Sequence, residues 1–291
     1  MQTFAYERPA TLAEAVALLD AHGPSARLLA GGTDLIIRLR DGSARPGMVI
    51  DVKRIPELCP GIRENDGIVT IGATTVMADL AANELVRRHF EALAEAAAVV
   101  GSVQIRNRAT IAGNICNASP AADTAPSLLV YEAVVIAAGL HGSRRIPISE
   151  FFLRSGVTTL EPNELVVAFD LPVPAGRTGA VHVRRTRRRG HDLASVTLCA
   201  SVNEAGVTRL AYGSVGPKPV LETDETGILA NPKVPDEVKA PILARMFAEA
   251  SPSKRSMRAS PEYRLAMLHV LGSRAVRAAI ERLTAKREAD A

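Results

Sequence analysis

The amino-acid sequence predicts an α+β protein built from two consecutive parts. Over the first 171 residues, strand-like runs rich in Val, Ile and Leu are interspersed with stretches of helical periodicity. A segment rich in Pro and Gly, PVPAGRTGA at 172–180, then interrupts both patterns. Three strand-like runs follow in succession, and two helical stretches end the sequence. We therefore place a domain boundary in this segment, which gives residues 1–176 and 177–291.

The first elements are an amphipathic helix and a short buried strand. Apolar residues at positions 12, 15, 16, 18 and 19 predict a helix over 11–22, with Thr11 as N-cap and Glu14 completing a capping box. Gly23 and Pro24 end this helix. The run ARLLAG then predicts a strand, which leads into a glycine-rich turn and a second apolar-periodic stretch, TDLIIRLRDG.

Strands and helices alternate through the rest of the first part. Residues 77–100 predict two helical stretches that are separated near Asn83, with no strong helix breaker before Gly101. The strands are predicted at 48–52, 67–76, 133–139 and 164–174.

Three consecutive strands open the second part, at 181–186, 194–202 and 207–216. The next stretch, LETDETGILANPKV, has little periodicity and predicts a loop. Helices are predicted over 236–250 and 261–287. Gly272 predicts a kink in the last helix, whose charged end is expected to fray.

Composition places the sequence among ordinary globular proteins, since 47% of the 291 residues are hydrophobic and 23% are charged. No apolar run approaches membrane-spanning length, and the start MQTFAYERPA lacks a signal-peptide pattern, so we expect a soluble, cytoplasmic protein. The cysteines are Cys59, Cys116 and Cys199, with no C-x-x-C pair. This excludes a Cys-rich metal or cluster site formed by this sequence, and each cysteine is expected to be a small core residue.

Basic residues are concentrated in the second part. Residues 1–175 carry 15 basic and 19 acidic side chains (net −4), whereas residues 176–291 carry 20 and 12 (net +8). The excess peaks at VRRTRRRGHD, 183–192. Because no aromatic residue interleaves these arginines and no nucleic-acid-binding motif is present, a small anionic ligand or a protein partner is favoured over nucleic acid.

Two stretches of small residues suggest a ligand site. LLAGGTDL at 28–35 follows a predicted strand and is typical either of a tight turn or of a phosphate cradle formed by backbone N–H groups. TIAGNICNASPAAD at 110–123 is the second such stretch, and two of them could hold the two ends of one pyrophosphate. Neither has the G-x-G-x-x-G or G-x-x-x-x-G-K-[ST] pattern, so a nucleotide-binding fold here would be neither Rossmann nor P-loop.

Four motifs occur in one order along the sequence: AGGTDL at 30–35, TIAGNICNASPAAD at 110–123, RRRGHDLASVT at 187–197 and SMRASPEYRLAML at 256–268. Together they resemble the FAD-binding medium subunit of the xanthine dehydrogenase family of molybdenum hydroxylases, and within it the separate FAD subunit of bacterial three-subunit xanthine dehydrogenases. The resemblance implies a vanillyl-alcohol-oxidase-type (PCMH-type) FAD-binding domain with subdomains of about 1–55 and 56–176. It also implies a C-terminal domain like that of carbon monoxide dehydrogenase flavoproteins, with a three-stranded sheet plus helices.

The resemblance also implies which residues bind FAD. Asp123 would accept hydrogen bonds from ribityl hydroxyls, and Arg184 stands where many members have Lys, which keeps the charge but not the geometry. Asp34 and Asp123 could instead cap the helices that follow them, and the arginine run could be a solvated face. The other implied contacts are a backbone contact at Val166, a contact near the adenine or the flavin ring at Val100 or Gly101, and the two pyrophosphate loops, Leu28, Leu29, Ala30, Gly31, Gly32, Thr33, Asp34 and Leu35, and Thr110, Ile111, Ala112, Gly113 and Asn114.

The implied function is electron transfer in a larger complex. The substrate, which we expect to be a purine such as xanthine or hypoxanthine, would be oxidised at the molybdopterin-bound molybdenum of a large subunit. Electrons would pass through 2Fe–2S clusters on a small subunit to FAD here, and then to NAD⁺, in a dimer of heterotrimers. Alternatives are another N-heterocycle, aldehyde or aromatic substrate, or a stand-alone flavin oxidase.

The same resemblance predicts no catalytic side chain and no metal site in this sequence. The additional four-iron cluster of one subfamily is not expected, because Ala122 precedes Asp123 and no cysteine lies between 117 and 198. His191 is expected to be a surface residue rather than a proton donor.

Overall fold

The computed structural model describes residues 3–289, so the predicted domain limits at residues 1 and 291 lie outside the described residues. Within 3–289 the strands form sheets of three, five and four strands, together with one two-stranded hairpin. The first two sheets end by Pro172 and the third begins at Thr178. The Pro- and Gly-rich segment therefore separates two sheet systems, as expected for a mixed α+β fold, while the domain limits themselves stay a prediction.

The first sheet is parallel and consists of β1 (Ala5–Glu7), β2 (Ala26–Leu29) and β3 (Met48–Asp51), in the order β1–β3–β2. Its crossovers are α1 (Leu12–His22) and α2 (Leu35–Arg40). Thr11 caps α1 as predicted, since its Oγ1 accepts a hydrogen bond from the N–H of Glu14 at 3.2 Å, but the Glu14 carboxylate reaches the N–H of Ala10. Because parallel strands end at the same edge, the glycine loop after β2 lies beside the end of β3.

The second sheet is antiparallel and has the order β4–β5–β10–β6–β7, where the strands are β4 (Ile62–Asn65), β5 (Ile68–Gly72), β6 (Val134–Gly139), β7 (Gly142–Pro147) and β10 (Leu165–Pro172). The hairpin of β8 (Phe152–Arg154) and β9 (Val157–Thr158) lies between β7 and β10 along the chain. The register of β10 shifts between Val166 and Ala168. This bulge frees the carbonyl of Val167, which accepts a hydrogen bond from the N–H of Ala73 at 2.9 Å.

Residues 77–98 form three helices rather than the predicted two: α3 (Met77–Ala82), α4 (Glu84–His89) and α5 (Glu91–Ala98). Asn83 makes the predicted break and caps α4, because its side chain accepts a hydrogen bond from the N–H of Val86 at 3.2 Å. The second break is at Phe90, whose fully buried ring packs edge-on against Tyr131 with centroids 5.0 Å apart. Burial of this ring overrides the helical propensity of the Ala-rich segment. The remaining helices of this part are α6 (Val103–Arg106), α7 (Ile111–Cys116), α8 (Thr124–Val130) and α9 (Ile148–Phe151).

The third sheet is an antiparallel meander of four strands rather than the predicted three: β11 (Thr178–Arg185), β12 (Val196–Asn203), β13 (Thr208–Gly213) and β14 (Val220–Asp224). The fourth strand lies in the stretch that we predicted as a loop. It pairs with β13 through the backbone from Val220 opposite Tyr212 to Asp224 opposite Thr208. Its sequence VLETD lacks the apolar alternation of a half-buried strand, so periodicity did not reveal it.

Two helices follow the third sheet, α10 (Asp236–Met246) and α11 (Pro261–Ala289). α11 continues without a break past Gly272 to Ala289, while the kink at Gly272 and the frayed end stay predictions. Gly272 permits a close approach, since a Cβ there would lie 2.5 Å from Cζ of Phe247. The glycine makes room for an aromatic ring that packs under the helix.

The third sheet has a different neighbour on each face. Side chains that alternate along its strands place Leu198, Leu210 and Tyr212 in a core shared with α10 and α11. The opposite face contributes Cys199 and Ala211 to the core of the first part. The face toward the first part therefore carries small side chains, which lets the two parts pack closely.

Two carboxylates of α5 fasten the edge strand of the third sheet. Glu91 and Glu95 accept hydrogen bonds from the backbone N–H groups of Ala180 and His182, both at 3.0 Å. The same carboxylates pair with α11, where Lys286 Nζ lies 2.8 Å from Glu91 and Arg282 bonds Glu95. The edge strand β11 is thereby fixed against the first part without a further strand.

Candidate functional site

The two glycine-rich loops meet in space. A Cβ on Gly31 would overlap the carbonyl oxygen of Arg108 and lie 2.8 Å from its carbonyl carbon, so only glycine fits between the first loop and the segment that leads into the second. Gly32 has φ +78°, a left-handed conformation that other residues rarely adopt. Side chains tie the loops further, since Asn117 Nδ2 donates to Asp34 Oδ1 at 3.4 Å and Arg38 donates to Asn117 Oδ1.

The first loop offers backbone donors for an anion. Among the described residues, no backbone N–H from Gly31 to Asp34 donates a hydrogen bond to the protein. The side chain of Asp34 does not cap α2, so the alternative that it serves as a helix cap is wrong. These four adjacent N–H groups have no protein partners, and the loop carries mostly small side chains. Such a loop can bind a phosphate group.

The second loop is arranged differently. Its backbone N–H groups are already used: Ile111 donates to Thr75 O at 3.0 Å, Ala112 to Ala73 O at 3.2 Å, Gly113 to Thr110 Oγ1 at 3.1 Å and Asn114 to Thr110 O at 3.0 Å. The Asn114 amide oxygen accepts from Thr124 Oγ1 at 2.6 Å. The expectation of exposed backbone donors in this loop is therefore wrong for these residues. The second loop therefore lies next to the first with its donors consumed, two by the carbonyls of Thr75 and Ala73 and two by Thr110 at the start of α7.

Asp123 lies where the third sheet meets the first part. The residue is buried, and its Oδ2 accepts a hydrogen bond from Arg184 Nη1 at 2.7 Å. Burial raises its pKa from the usual value to about 6, although the Arg184 charge opposes this. Its side chain does not cap α8, so that alternative is also wrong. Oδ1 is buried without a hydrogen-bond partner among the described residues, and such a polar atom indicates an incomplete site.

Two residues behind Asp123 were not singled out in the sequence. His182 Nε2 lies 3.7 Å from Asp123 Oδ1 and 3.0 Å from Thr197 Oγ1. Burial lowers the pKa of His182 to about 3, so the ring is neutral at pH 7. The strand period could have revealed His182, since it lies two residues before Arg184 and so on the same face of β11. Its contact with Asp123 depends on how two distant segments pack.

The remaining predicted contacts lie around the loops. Val100 is tied to Arg106, whose Nη1 donates to its carbonyl at 3.2 Å, and the next residue, Gly101, has φ +55°. This segment continues into Arg108, the neighbour of Gly31. Val166 precedes the bulge carbonyl that bonds Ala73, and Ala73 O in turn accepts from Ala112. Both predicted contacts are thus linked through the backbone to the glycine loops.

The arginine run bends away from the sheet as an exposed loop. Arg184 and Arg185 end β11, and Asp192 then accepts hydrogen bonds from the backbone N–H groups of Arg187 (3.1 Å) and Leu193 (3.0 Å). Arg188 and Arg189 are exposed, as is His191, which was expected at the surface. The run is therefore divided between the end of the edge strand β11 and an exposed, folded loop.

Comparison with known proteins identifies the family. The family described as "FAD binding domain in molybdopterin dehydrogenase" matches residues 2–174, and the "CO dehydrogenase flavoprotein C-terminal domain" matches residues 182–279. This chain belongs to the FAD-binding subunits of the molybdenum hydroxylases. It is therefore an oxidoreductase subunit, and the two-part α+β fold inferred from the four motifs is confirmed, apart from the strand number of the third sheet.

Individual relatives of this FAD subunit span nearly its whole length. It is 32% identical over 280 residues to the xanthine dehydrogenase FAD-binding subunit of Escherichia coli O157:H7, covering 94% of this chain and 95% of the relative. It is 35% identical over 281 residues to the carbon monoxide dehydrogenase medium chain of Hydrogenophaga pseudoflava, covering 95% and 96%. The structure of carbon monoxide dehydrogenase from that organism matches with a TM-score of 0.88 at 34% identity, covering 97% and 98%.

Within residues 3–289, no group of three or more His, Cys, Asp or Glu side chains is placed to hold a metal ion. In the same range, no helix is both long and apolar enough to cross a membrane.

Asp123→Ala should weaken FAD binding by about 1.5–3 kcal/mol, the value of a hydrogen bond to a charged group. The effect should depend on pH, because the pKa of Asp123 is raised to about 6. If FAD binds the carboxylate form, its affinity stays level above pH 6 and falls as the pH drops below it. Titration of the FAD-free subunit with FAD between pH 5 and 8 measures this. A sloping profile that persists in Asp123→Asn would contradict it.

Proposed function

We propose that this chain binds FAD non-covalently between the two glycine loops and the third sheet, as the FAD subunit of a xanthine dehydrogenase-like complex. One observation carries the proposal: the free N–H groups of Gly31 to Asp34 lie on a loop joined to the second glycine loop, and the buried carboxylate of Asp123, which follows that second loop, lies where the third sheet meets the first part. The donors suit a pyrophosphate, and the carboxylate suits sugar hydroxyls. The contacts implied at Val100 or Gly101, Val166 and Arg184 are part of the same proposal, whereas the N–H groups of the second loop are already used within the protein.

The chain's own residues bind and orient the cofactor. The first loop would contact the pyrophosphate through its N–H groups, while the second loop holds the first in place. Arg184 neutralises Asp123 and places a positive charge at the site, which favours anionic groups there. When bound, FAD supplies the exchange of electrons between one-electron and two-electron carriers. The protein needs no catalytic acid or base for that chemistry.

Cys116 is the only thiol in either loop, and it supports non-covalent binding. Burial raises the pKa of its thiol to about 12, so it stays protonated at neutral pH. A protonated thiol is a poor nucleophile toward the flavin ring.

The partners and substrate follow from the relatives by analogy. We propose a large molybdopterin subunit and a small 2Fe–2S subunit as partners, in a dimer of heterotrimers, with NAD⁺ as electron acceptor. A purine such as xanthine or hypoxanthine is the proposed substrate of the complex, supported by the relative named for xanthine. The relative named for carbon monoxide has similar identity, so substrate choice belongs to the partner subunits and is tested on the complex.

Purification of the chain tests the proposal directly. We expect absorbance at about 450 nm from bound flavin. Because the flavin is bound non-covalently, acid precipitation of the protein should leave the yellow colour in the supernatant. A colourless protein that does not take up added FAD would reject the proposal. Turnover of a substrate by the isolated chain would indicate a stand-alone oxidase. For the complex, reduction of NAD⁺ with xanthine, compared with other N-heterocycles, aldehydes and carbon monoxide, identifies the substrate.

Replacing Arg188 and Arg189 by Gln should slow reoxidation of the complex by NAD⁺ about tenfold at low salt, or weaken its assembly, through loss of electrostatic attraction. The defect should shrink in about 1 M salt, where the screening length is about 3 Å. Stopped-flow reoxidation at two ionic strengths measures it. Arg87 and Arg88 on α4, another exposed adjacent pair, provide the control. Wild-type reoxidation rates and assembly in the Arg188/Arg189 variant would mean that this loop is only a solvated surface.

A further inference from the structure

The face of the third sheet toward the first part carries an isolated polar cluster. His182 and Arg184 extend from β11, and Thr197, which pairs with Arg184 in register, extends from β12. The next residues on this face, Cys199 and Ala211, are small and apolar. Asp123 of the first part points into this cluster, where its side chain is 8% exposed. The cluster is therefore one of the polar contacts between the two parts, next to those that Glu91 and Glu95 of α5 make with β11.

The two oxygens of Asp123 have different surroundings. Oδ2 accepts the Arg184 hydrogen bond at 2.7 Å, and because Oδ1 is buried, any exposed polar surface of the carboxylate belongs to Oδ2. Oδ1 faces inward, 3.7 Å from His182 Nε2. The titratable and charged groups that face Asp123 are therefore His182 and Arg184, both from β11. The inner oxygen is the one that a hydrogen-bond donor behind it would control.

His182 is held from two sides. Its backbone N–H donates to Glu95 Oε2 at 3.0 Å, and Glu95 is bonded to Arg282. Its ring nitrogen lies 3.0 Å from the hydroxyl of Thr197, which is fully buried. The ring itself is 2% exposed. A side chain fixed in this way cannot move aside, so it sets the position of whatever packs against it.

We propose that His182, together with Thr197, is a positioning residue for Asp123: it supports the inner oxygen and thereby aligns the outer oxygen with the sugar hydroxyls of FAD. This inference rests on the proposed binding of FAD. A neutral imidazole suits the role, since it can hydrogen-bond the Thr197 hydroxyl through Nε2 without adding a second positive charge beside Arg184. The Thr197 hydroxyl that His182 holds lowers the pKa of Asp123, which favours the carboxylate form.

Titration of the FAD-free full-length chain with FAD, followed by quenching of flavin fluorescence, tests the proposal. His182→Phe should raise the Kd for FAD about tenfold at pH 7, because the Thr197 hydroxyl loses its hydrogen bond to the ring and no longer holds Asp123 in place. It should also move the pH below which binding weakens to a higher value. His182→Gln, which retains a side-chain N–H donor, should restore most of the affinity and the wild-type pH profile.

A milder pair of variants keeps the test valid if His182→Phe does not fold. Thr197→Val removes the hydroxyl beside His182. The control, Thr208→Val, removes a buried hydroxyl of the same sheet that has no hydrogen-bond partner among the described residues. We expect a several-fold rise in Kd and the same pH shift for Thr197→Val only. Equal Kd values and pH profiles for the two would overturn the proposal, as would a lower melting temperature for His182→Phe with unchanged Kd. Absence of FAD binding by the wild-type chain would reject the proposed function itself, and the inference with it.

Discussion

Replacing Gly31 by alanine should reduce FAD affinity by roughly 100-fold, corresponding to the upper end of the approximately 1–3 kcal/mol cost of overpacking. The new Cβ would overlap the carbonyl oxygen of Arg108 and lie 2.8 Å from the carbonyl carbon. Backbone cannot rotate away as a side chain can, so the two glycine loops must separate. The N–H groups of the first loop would then no longer face the same point. The flavin-to-protein absorbance ratio after purification, and the Kd of added FAD, measure this loss.

Two further glycine variants distinguish a specific effect on the first glycine loop from the effect of adding a side chain to any glycine. Gly61→Ala is the control, because a Cβ there meets nothing within 4 Å. Gly32→Val alters the cradle by a second route, since a β-branched residue resists the φ of +78° while most of the fold stays intact. We expect normal FAD content in the first variant and severe loss in the second. Full FAD content in both Gly31→Ala and Gly32→Val would mean that this loop is only a turn.

Replacing Arg184 by methionine should destabilise the folded chain by about 2 kcal/mol at pH 7.5, at 1.36 kcal/mol for each pH unit above the wild-type pKa of about 6, because it leaves the Asp123 carboxylate buried without its cation. Burial already raises the pKa of Asp123 to about 6, and the variant raises it further. The folded state then binds a proton more tightly than the unfolded state, so this contribution to the free energy of unfolding decreases as the pH rises. At pH 5 the charge-related cost of the variant should nearly disappear, because with a pKa of about 6 the carboxyl is already mostly protonated in the wild-type folded state. Urea unfolding of the FAD-free chain at both pH values gives the comparison.

The control for this variant is an ion pair of equal length in solvent. Arg145 Nη1 lies 2.7 Å from Asp170, but the Arg145 side chain is 60% exposed. Arg145→Met should therefore cost less than about 1 kcal/mol, with little dependence on pH between 5 and 7.5. Arg184→Lys should recover much of the stability because it keeps the charge, but less of the FAD affinity because its geometry differs. A loss in Arg184→Met that is equal at both pH values would contradict the assigned role of Asp123.

Local signals predicted the elements that build the first loop. The Thr11 cap, the apolar spacing of α1 and the strand β2 were recognised because each depends on residues within one turn or one strand. The glycines at 31 and 32 marked a close approach, although the partner, the backbone of Arg108, lies far along the sequence. The fourth strand of the third sheet and the break at Phe90 escaped prediction. One depends on backbone pairing with β13 and the other on burial of an aromatic ring, and neither leaves a periodic pattern.

The amino-acid sequence determined the α+β class, the motif order that identifies the family, and the assignment of Asp123 and Arg184 as candidate ligands. Tertiary structure decided what those two residues do to each other. They lie 61 positions apart, and their hydrogen bond exists only because the third sheet packs against α8 and α5. Tertiary structure likewise placed the neutral His182 behind Asp123 and consumed the N–H groups of the second loop while leaving those of the first free. Periodicity reports which face of an element is buried, whereas hydrogen bonds and pKa shifts depend on which distant group is buried beside it.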